Sequence, residues 1–486
     1  MRSYLVLIMC CIGLNMQAQY VNYASINNRI IDTTIVHLPH RLINTPLLLN
    51  DTNRKKTIRI SPLITALPTI EKNNVGAQLG AGFSAMFKFN KKLQTIINYE
   101  RLWLNGTTAM DSSVSKNNSI GAVGTAFYTR NTKFITSNYL DFNIKYVPNK
   151  YITLHAGRNR FFAGEGYRSL ILSDNAAPMY HLSFDAKFKQ FQYSTTYAHL
   201  VDMNDSKPLD NYVRNKFMTF HSISYTPNKW LNVQLYETVV FASRSNNPYK
   251  FKYDVTYLNP IVFLRPVEYS QGSTDNELLG LNIKLKPIKN LTLYGQFVLD
   301  EFLLSYFVKR TGWWGNKYAL QGGAKYNYVR HQKQFVALSE LNYVRPYTYA
   351  HADPLINYGH YNQALAHPAG GNFIEALSLV SYKQNKLMFT AKGSYFMQGL
   401  DANNNNYGSN IYISYTKRNA DFGIAILQGK LLKRITANLQ ATYTLPKAKN
   451  TNVCLGAIVT KSNLNQSCVV VYMGLQATLF NHYNDY

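Results

Sequence analysis

Residues 435–445 alternate strictly. Ile435, Ala437, Leu439, Ala441, Tyr443 and Leu445 take one parity, and Thr436, Asn438, Gln440, Thr442 and Thr444 take the other. A period of two sends these sets to opposite faces of an extended strand, whereas 3.6 residues per turn would scatter them around a helix. The same alternation runs through Leu140-Asp141-Phe142-Asn143-Ile144-Lys145-Tyr146, Leu182-Ser183-Phe184-Asp185-Ala186-Lys187-Phe188 and Leu281-Asn282-Ile283-Lys284-Leu285-Lys286. Such a chain is a β protein whose strands have one apolar and one polar face.

A soluble sandwich with one solvated face alternates in the same way. Strand length and aromatic placement separate the two. Many segments run nine to twelve residues, near the ~9–11 that a tilted strand needs to cross a bilayer and beyond the ~5–6 usual in soluble sheets. Aromatic residues gather at segment ends, as interfacial girdles require. Charged residues are 16% of the chain, against roughly 25% in soluble domains. Aromatics are 14%, with 38 Tyr among 486 residues, which excludes a disordered chain. Beyond the first twenty residues no stretch has the ~18 consecutive apolar residues of a spanning helix. The expected fold is all-β: a transmembrane antiparallel β-barrel of about 18 strands with long extracellular loops and short periplasmic turns.

Four segments are expected. Residues 1–18 read as a signal peptide, with Arg2 as the positive region, an apolar run over 4–14 and a cleavage point after Ala18. Residues 19–56 lack alternation and form either a periplasmic arm or a plug in the lumen. The barrel occupies 57–480, and 481–486 is a polar tail. Short turns are expected at Pro148-Asn149-Lys150, Pro227-Asn228-Lys229, Pro287-Ile288-Lys289-Asn290, Gln384-Asn385 and Arg418-Asn419, where Pro presets φ and Asn tolerates the third turn position. Long connections are expected near 104–137, 159–178, 201–216, 242–276, 303–317, 346–372 and 399–409, facing the exterior.

Without the signal peptide two cysteines remain, Cys454 and Cys468. They lie equally far from a turn centred on Lys461, a placement that sets them opposite one another on neighbouring strands. They are either a disulfide or two small residues on the barrel wall. The formal charge of +26 favours anionic partners. The cations are spread along the chain and form no recognised nucleic-acid motif, so no nucleic acid is expected. Lipopolysaccharide and other outer-membrane lipid, or an acidic polysaccharide, suit an exported barrel.

Four stretches carry candidate binding residues. The loop after Val344 holds Arg345, Tyr347, Tyr349, His351, Asp353, Tyr358, His360, Tyr361, Asn362 and His367. Its His and Asp residues fit no closed metal spacing, and neither a metal nor a cofactor is expected. Its Tyr, Asn, Asp, Arg and His types supply what a sugar surface needs, namely aromatic faces for C–H patches and polar groups for hydroxyls. Arg158, Arg160, Tyr167 and Arg168 surround Gly164-Glu165-Gly166. That segment is either a tight turn entering the lumen, with Glu165 paired to an Arg, or a set of guanidinium groups for an anionic sugar. It lacks the Lys-Ser/Thr pair of a phosphate-binding loop. Arg265 and Glu268, and the pair Trp313-Trp314, complete the set. The tryptophans suit a sugar platform or a membrane anchor equally. With neither a G-x-S-x-G elbow nor an H-E-x-x-H helix, the chain is not expected to be an enzyme.

The stretches G-R-x-R-F-F-x-G-x-G-Y-R-S-L over 157–170, L-N-P-I-V-F-x-R-P-V-E-Y over 258–269, and R-P-Y-T-Y-x-H to A-H-P-x-G-x-N over 345–372 resemble the Wzi-like capsule-assembly family. The likeness extends to its Bacteroidetes branch, which includes proteins similar to the gliding-motility protein RemB. The resemblance implies an eighteen-stranded barrel in the outer membrane of a Gram-negative cell. Such a barrel acts as a lectin that tethers capsular or exopolysaccharide to the surface. The gliding branch implies adhesion or motility instead, with gliding or export machinery proteins as partners. A porin-like channel is the third reading that the periodicity allows.

Overall fold

The computed structural model describes residues 57–71, 74–105, 119–125, 127–128, 134–207, 212–243, 247, 249–260, 275–445, 452–464 and 467–476. The expected signal peptide, the 19–56 segment, the 481–486 tail, Arg265 and Glu268 lie outside the described residues.

Eighteen long strands follow one another: β1 (Thr57–Glu71), β2 (Asn74–Lys88), β3 (Leu93–Asn105), β4 (Ile135–Tyr146), β5 (Ile152–Asn159), β6 (Met179–Phe188), β7 (Phe191–Lys207), β8 (Tyr212–Tyr225), β9 (Leu231–Ala242), β10 (Asn276–Ile288), β11 (Leu291–Glu301), β12 (Lys317–Arg330), β13 (Lys333–Val344), β14 (Phe373–Gln384), β15 (Leu387–Leu400), β16 (Lys430–Thr444), β17 (Asn452–Ser462) and β18 (Cys468–Gln476). Each pairs antiparallel with its sequence neighbours, and β1 pairs with β18 through Thr65↔Gln476 and Glu71↔Val470. The sheet therefore closes on itself and leaves no unpaired edge.

The faces are inverted relative to a soluble protein. Along β16, Thr436, Asn438, Gln440 and Thr442 are buried in the lumen, while Ile435 and Leu439 are 53% and 62% exposed on the outer wall. Apolar residues outside and polar residues inside are what a lipid-facing cylinder requires. Aromatic side chains mark the short-turn end of the wall. Tyr151 lies 6.2 Å from Phe188, and Phe191 lies 4.7 Å from Tyr225, ring to ring.

The short turns follow from side-chain chemistry. The Asn149 Oδ1 accepts from the Tyr151 and Ile152 amides at 2.9 and 3.1 Å, and Asn228 does the same for Trp230 and Leu231 at 3.1 and 3.0 Å. Each Asn thus turns the backbone back into the next strand. Asn290 and Asn385 instead occupy left-handed conformations, at φ +72° and +54°.

Three expectations are corrected. Arg418-Asn419 is not a hairpin turn, because it sits inside one long extracellular connection, 401–429. The 201–216 connection is mostly strand. β7 runs to Lys207 and β8 starts at Tyr212, a hairpin whose polar residues need no apolar face once it rises beyond the bilayer. Finally, Cys454 and Cys468 form no disulfide with each other. The β17–β18 register pairs Thr460 with Cys468 and Cys454 with Gly474, so the turn centres on residue 464 rather than 461. That shift of three sets the two cysteines six residues apart along the ladder, about 20 Å, too far to bridge.

The apolar core of the molecule lies inside the cylinder. The connections 160–178 and 345–372 fold inward, and their Phe161, Leu170, Ile171, Tyr349, Ile356 and Leu365 pack on lumen-facing Leu200, Met218, Phe220 and Tyr236.

Candidate functional site: a pinned plug and an aromatic outer face

The first inward connection, 160–178, begins at the extracellular end of β5. Its shape is set locally by Ser169. The Ser169 hydroxyl donates to the Ala163 carbonyl at 2.5 Å and accepts from the Ile171 and Leu172 amides at 3.1 and 3.2 Å. Gln296 on β11 grips the same turn, accepting from the Leu170 amide at 2.9 Å and donating to the Ala163 carbonyl at 3.2 Å. Gly164 has φ +122°, which a side chain would resist. Gly166 lies so close to the wall that a Cβ there would meet the Glu340 carboxylate and stand 2.6 Å from the Arg168 carbonyl. The two glycines let the chain touch the wall.

The tip is pinned by charge. Glu165 lies 3.2 Å from Lys284 on β10 and 3.2 Å from Lys325 on β12. Its partners are therefore wall lysines, and the expected arginine partner is corrected. The Glu340 carboxylate on β13 accepts from the Tyr167 and Arg168 amides at 2.9 and 3.2 Å, and from the Tyr294 hydroxyl at 2.9 Å. Arg168 faces Glu375 on β14 at 3.4 Å, and Glu375 also meets His367 at 2.9 Å. Lys325 is the ninth of the fourteen residues of β12, so the plug reaches past the middle of the barrel.

The second connection, 345–372, locks over the first. The Tyr349 and Tyr358 hydroxyls donate to the Leu170 and Ile171 carbonyls at 2.6 and 2.8 Å. Ser173 donates its amide to the Leu365 carbonyl at 2.7 Å. The histidines of this loop diverge. The His351 Nδ1 accepts from the Asp353 amide at 3.1 Å, the His360 Nδ1 accepts from the Val201 amide at 2.9 Å, and His367 goes to Glu375. Burial lowers the His351 pKa below the usual imidazole value, which keeps the ring neutral and able to accept. Among the described residues no three His, Cys, Asp or Glu side chains gather as metal ligands.

The expected binding residues therefore divide. Arg160, Tyr167, Arg168, Tyr347, Tyr349 and His351 are buried. Tyr167, Arg168 and Tyr349 hold the plug, Arg160 donates to the Asp174 carbonyl at 3.1 Å within it, and Tyr347 and His351 meet the 401–429 connection, at the Asn406 carbonyl and the Tyr415 ring. Arg158 reaches the rim, with its guanidinium 5.7 Å from the ring of outward-facing Tyr180. Tyr361 lies beside Arg158, and Tyr361 and Asn362 are half-buried. Asp353 is exposed, although its carboxylate caps a short turn by accepting from the Leu355 amide at 2.9 Å. Arg345 sits at the top of β13.

Trp313 and Trp314 join the outer face. Residues 311–314 lie against 421–424 through Trp314 N–H to Asp421 O at 2.9 Å, Ile424 N–H to Gly312 O at 2.8 Å and Gly423 N–H to Thr311 O at 3.0 Å. Gly312 is needed there, at φ +65° with Ile424 N 2.9 Å from where a Cβ would stand. The Trp314 ring is flanked by Tyr415, 4.6 Å away, and by the Arg418 guanidinium, 4.1 Å away. Arg418 is itself held by Asp421, with Nε and an Nη at 2.7 and 2.6 Å from Oδ1. Trp313 rests 5.2 Å from Tyr306, which is 5.5 Å from half-exposed Phe422. This is an aromatic surface edged by a guanidinium and a carboxylate, suited to C–H and hydroxyl groups. Tyr306, Tyr415, Arg418 and Phe422 are not evident as site residues in the sequence, because two loops about a hundred positions apart supply them. The lost alternation after Ala402 was the available signal.

Neither a family model nor a curated protein sequence matches this chain. Among solved structures, the chain is similar to Wzi of Escherichia coli, described as an outer-membrane protein involved in group 1 capsule assembly and a carbohydrate-binding β-barrel. The TM-score is 0.53 at 12% identity, covering 87% of this chain and 83% of that one. Pseudomonas aeruginosa OprD matches with a TM-score of 0.43 at 10% identity over 91% and 98% of the two chains, and OccK8 (OprE) of the same organism with 0.45 at 10% over 86% and 96%. At these identities the likeness is one of fold.

Proposed function

We propose that this chain is a non-enzymatic outer-membrane barrel that binds capsular or exopolysaccharide and holds it at the cell surface. The observation that carries this reading is the division of labour in the loops. Two connections close the lumen through buried ion pairs, while a third and a fourth build the Trp313, Trp314, Tyr415 and Arg418 surface outside. A freely open diffusion pore does not need such a plug, although solute transporters can carry one, and a surface tether needs no passage. The fold shared with Wzi supports the same reading, since that protein is described as binding carbohydrate. Location in the outer membrane of a Gram-negative cell of the Bacteroidetes, reached through a signal peptide, belongs to this proposal. So does the assignment of Arg158, Arg345, Asp353, Tyr361 and Asn362 to the rim of the glycan surface.

The test is a strain lacking the gene. Cells are pelleted, and polysaccharide is measured in pellet and supernatant. The expected result is a shift of polysaccharide into the supernatant, restored by the wild-type gene and not by a Trp314→Ala, Arg418→Ala variant. Unchanged retention with impaired colony spreading would replace this reading with an adhesion or gliding role.

A further inference from the structure

The connection between β11 and β12 carries a second feature, on the side that faces the bilayer. A short helix, α1 (Leu304–Val308), buries none of its residues. Leu303, Leu304, Phe307 and Val308 are 47%, 64%, 46% and 70% exposed. The Phe307 ring lies 6.1 Å from Tyr318, which stacks on Tyr343 at 6.1 Å. Tyr318 alternates with the fully buried Lys317 and Ala319, so it points out of the barrel, and exposed Leu320 continues that wall below it. The helix therefore forms an apolar ledge on the outer side of the rim, at the level where interfacial aromatics sit.

Cations stand directly beside this ledge. Lys309 and Arg310 follow the helix and are both exposed. Arg310 occupies a left-handed conformation at φ +52°, held by its amide to the Phe307 carbonyl at 3.1 Å. Among the described residues neither cation has an ion-pair partner. The Arg345 guanidinium lies 5.6 Å from the same Tyr318 ring and gives one Nη to the Ile424 carbonyl at 3.2 Å. Its Nε is buried without a hydrogen-bond partner.

We infer that this ledge is a docking site for a phosphorylated glycolipid of the outer leaflet. Alkyl chains would cover Leu304, Phe307 and Val308, and Lys309, Arg310 and Arg345 would meet the phosphate. A free polysaccharide fits poorly, because it has no alkyl chain for the exposed leucine and valine. A neutral lipid leaves Lys309 and Arg310 unanswered. Charge and apolar area together select an amphiphile with an anionic head. The site adjoins the Trp313 surface through Tyr306 of α1 and shares Arg345 with its rim, but the inference does not depend on the polysaccharide reading.

The experiment is native mass spectrometry of the purified full chain in detergent. The probes are bisphosphorylated lipid A, the same lipid stripped of phosphate, and phosphatidylglycerol. The wild type is expected to retain lipid A at least tenfold better than the stripped form, and better than phosphatidylglycerol. K309E/R310E is expected to lose that advantage, and L304S/V308S to lower binding of lipid A. Heat-dependent gel mobility identifies folded barrels, and glycan binding by K309E/R310E is expected to stay unchanged. Equal adducts for wild type and K309E/R310E, or equal retention of lipid A and its stripped form, would overturn the inference. Phosphatidylglycerol bound as well as lipid A would overturn the choice of a glycolipid. If glycan binding failed while lipid A still discriminated, the polysaccharide reading would fall and the ledge would stand.

Discussion

Lys325 on β12 holds a Glu165 oxygen at 3.2 Å and donates to the Glu165 backbone carbonyl at 2.5 Å. One wall lysine thus fixes both the charge and the backbone of the plug tip, from 160 residues away. Both partners are buried, so the pair is not the surface type that salt screens away.

Replacing Glu165 leaves Lys284 and Lys325 facing each other in the lumen. Removing one partner of a buried pair typically costs about 3–5 kcal/mol. E165Q combined with E340Q, which weakens the grip on the Tyr167 and Arg168 amides, is expected to free the plug. In planar bilayers the wild type should be closed, and the double variant should show intermittent openings. Steady openings of equal size in both would mean that the ion pairs do not hold the lumen shut.

Gly166→Ala tests the same contact by sterics. The added Cβ would collide with the Glu340 carboxylate and the Arg168 carbonyl, both fixed by other bonds. The expected result is faster protease cleavage within 160–178 in the folded barrel, with heat-dependent gel mobility retained. A cleavage rate equal to wild type would show that the loop does not need its close approach.

The cysteines make a simple prediction. Cys454 is buried, with its thiol directed to the Gly474 carbonyl at 3.5 Å, and Cys468 meets Glu71 at 2.8 Å. Reductant is expected to leave the thermal melting temperature unchanged, and mass spectrometry of the unreduced chain should show Cys454 and Cys468 not linked to each other. A mass two units lower, with melting sensitive to reductant, would contradict the register of β17 and β18.

How far the sequence could be read depended on the range of the forces involved. The period-two strands were legible because each has one face toward lipid, and that requirement is local. The Asn149 and Asn228 turns were legible for the same reason, since the Asn bonds the amides two and three positions ahead. The plug was only half legible. Gly164-Glu165-Gly166 announced a tight inward turn, but Lys284 and Lys325 share nothing with it in sequence. In the 401–429 connection Ile411, Ile413 and Tyr415, followed by Arg418-Asn419, imitate a hairpin. Their apolar side chains pack on other loops instead of facing lipid.

The outer surface predicts a split among the aromatic residues. Trp314→Ala and Arg418→Ala are each expected to lower glycan affinity about tenfold, the scale at which buried Trp and Arg anchors act. Tyr167→Phe removes only a hydroxyl sealed inside the plug and should leave affinity unchanged.

Glycan binding by the purified barrel is the property on which the proposed function rests. Fluorescence-detected titration of the wild-type protein in detergent with surface polysaccharide from its own cells is the most direct measurement. Saturable binding that W314A weakens and Y167F spares is the predicted result. Absence of any saturable binding, together with a steady ohmic conductance of the wild type, would contradict it and describe a channel.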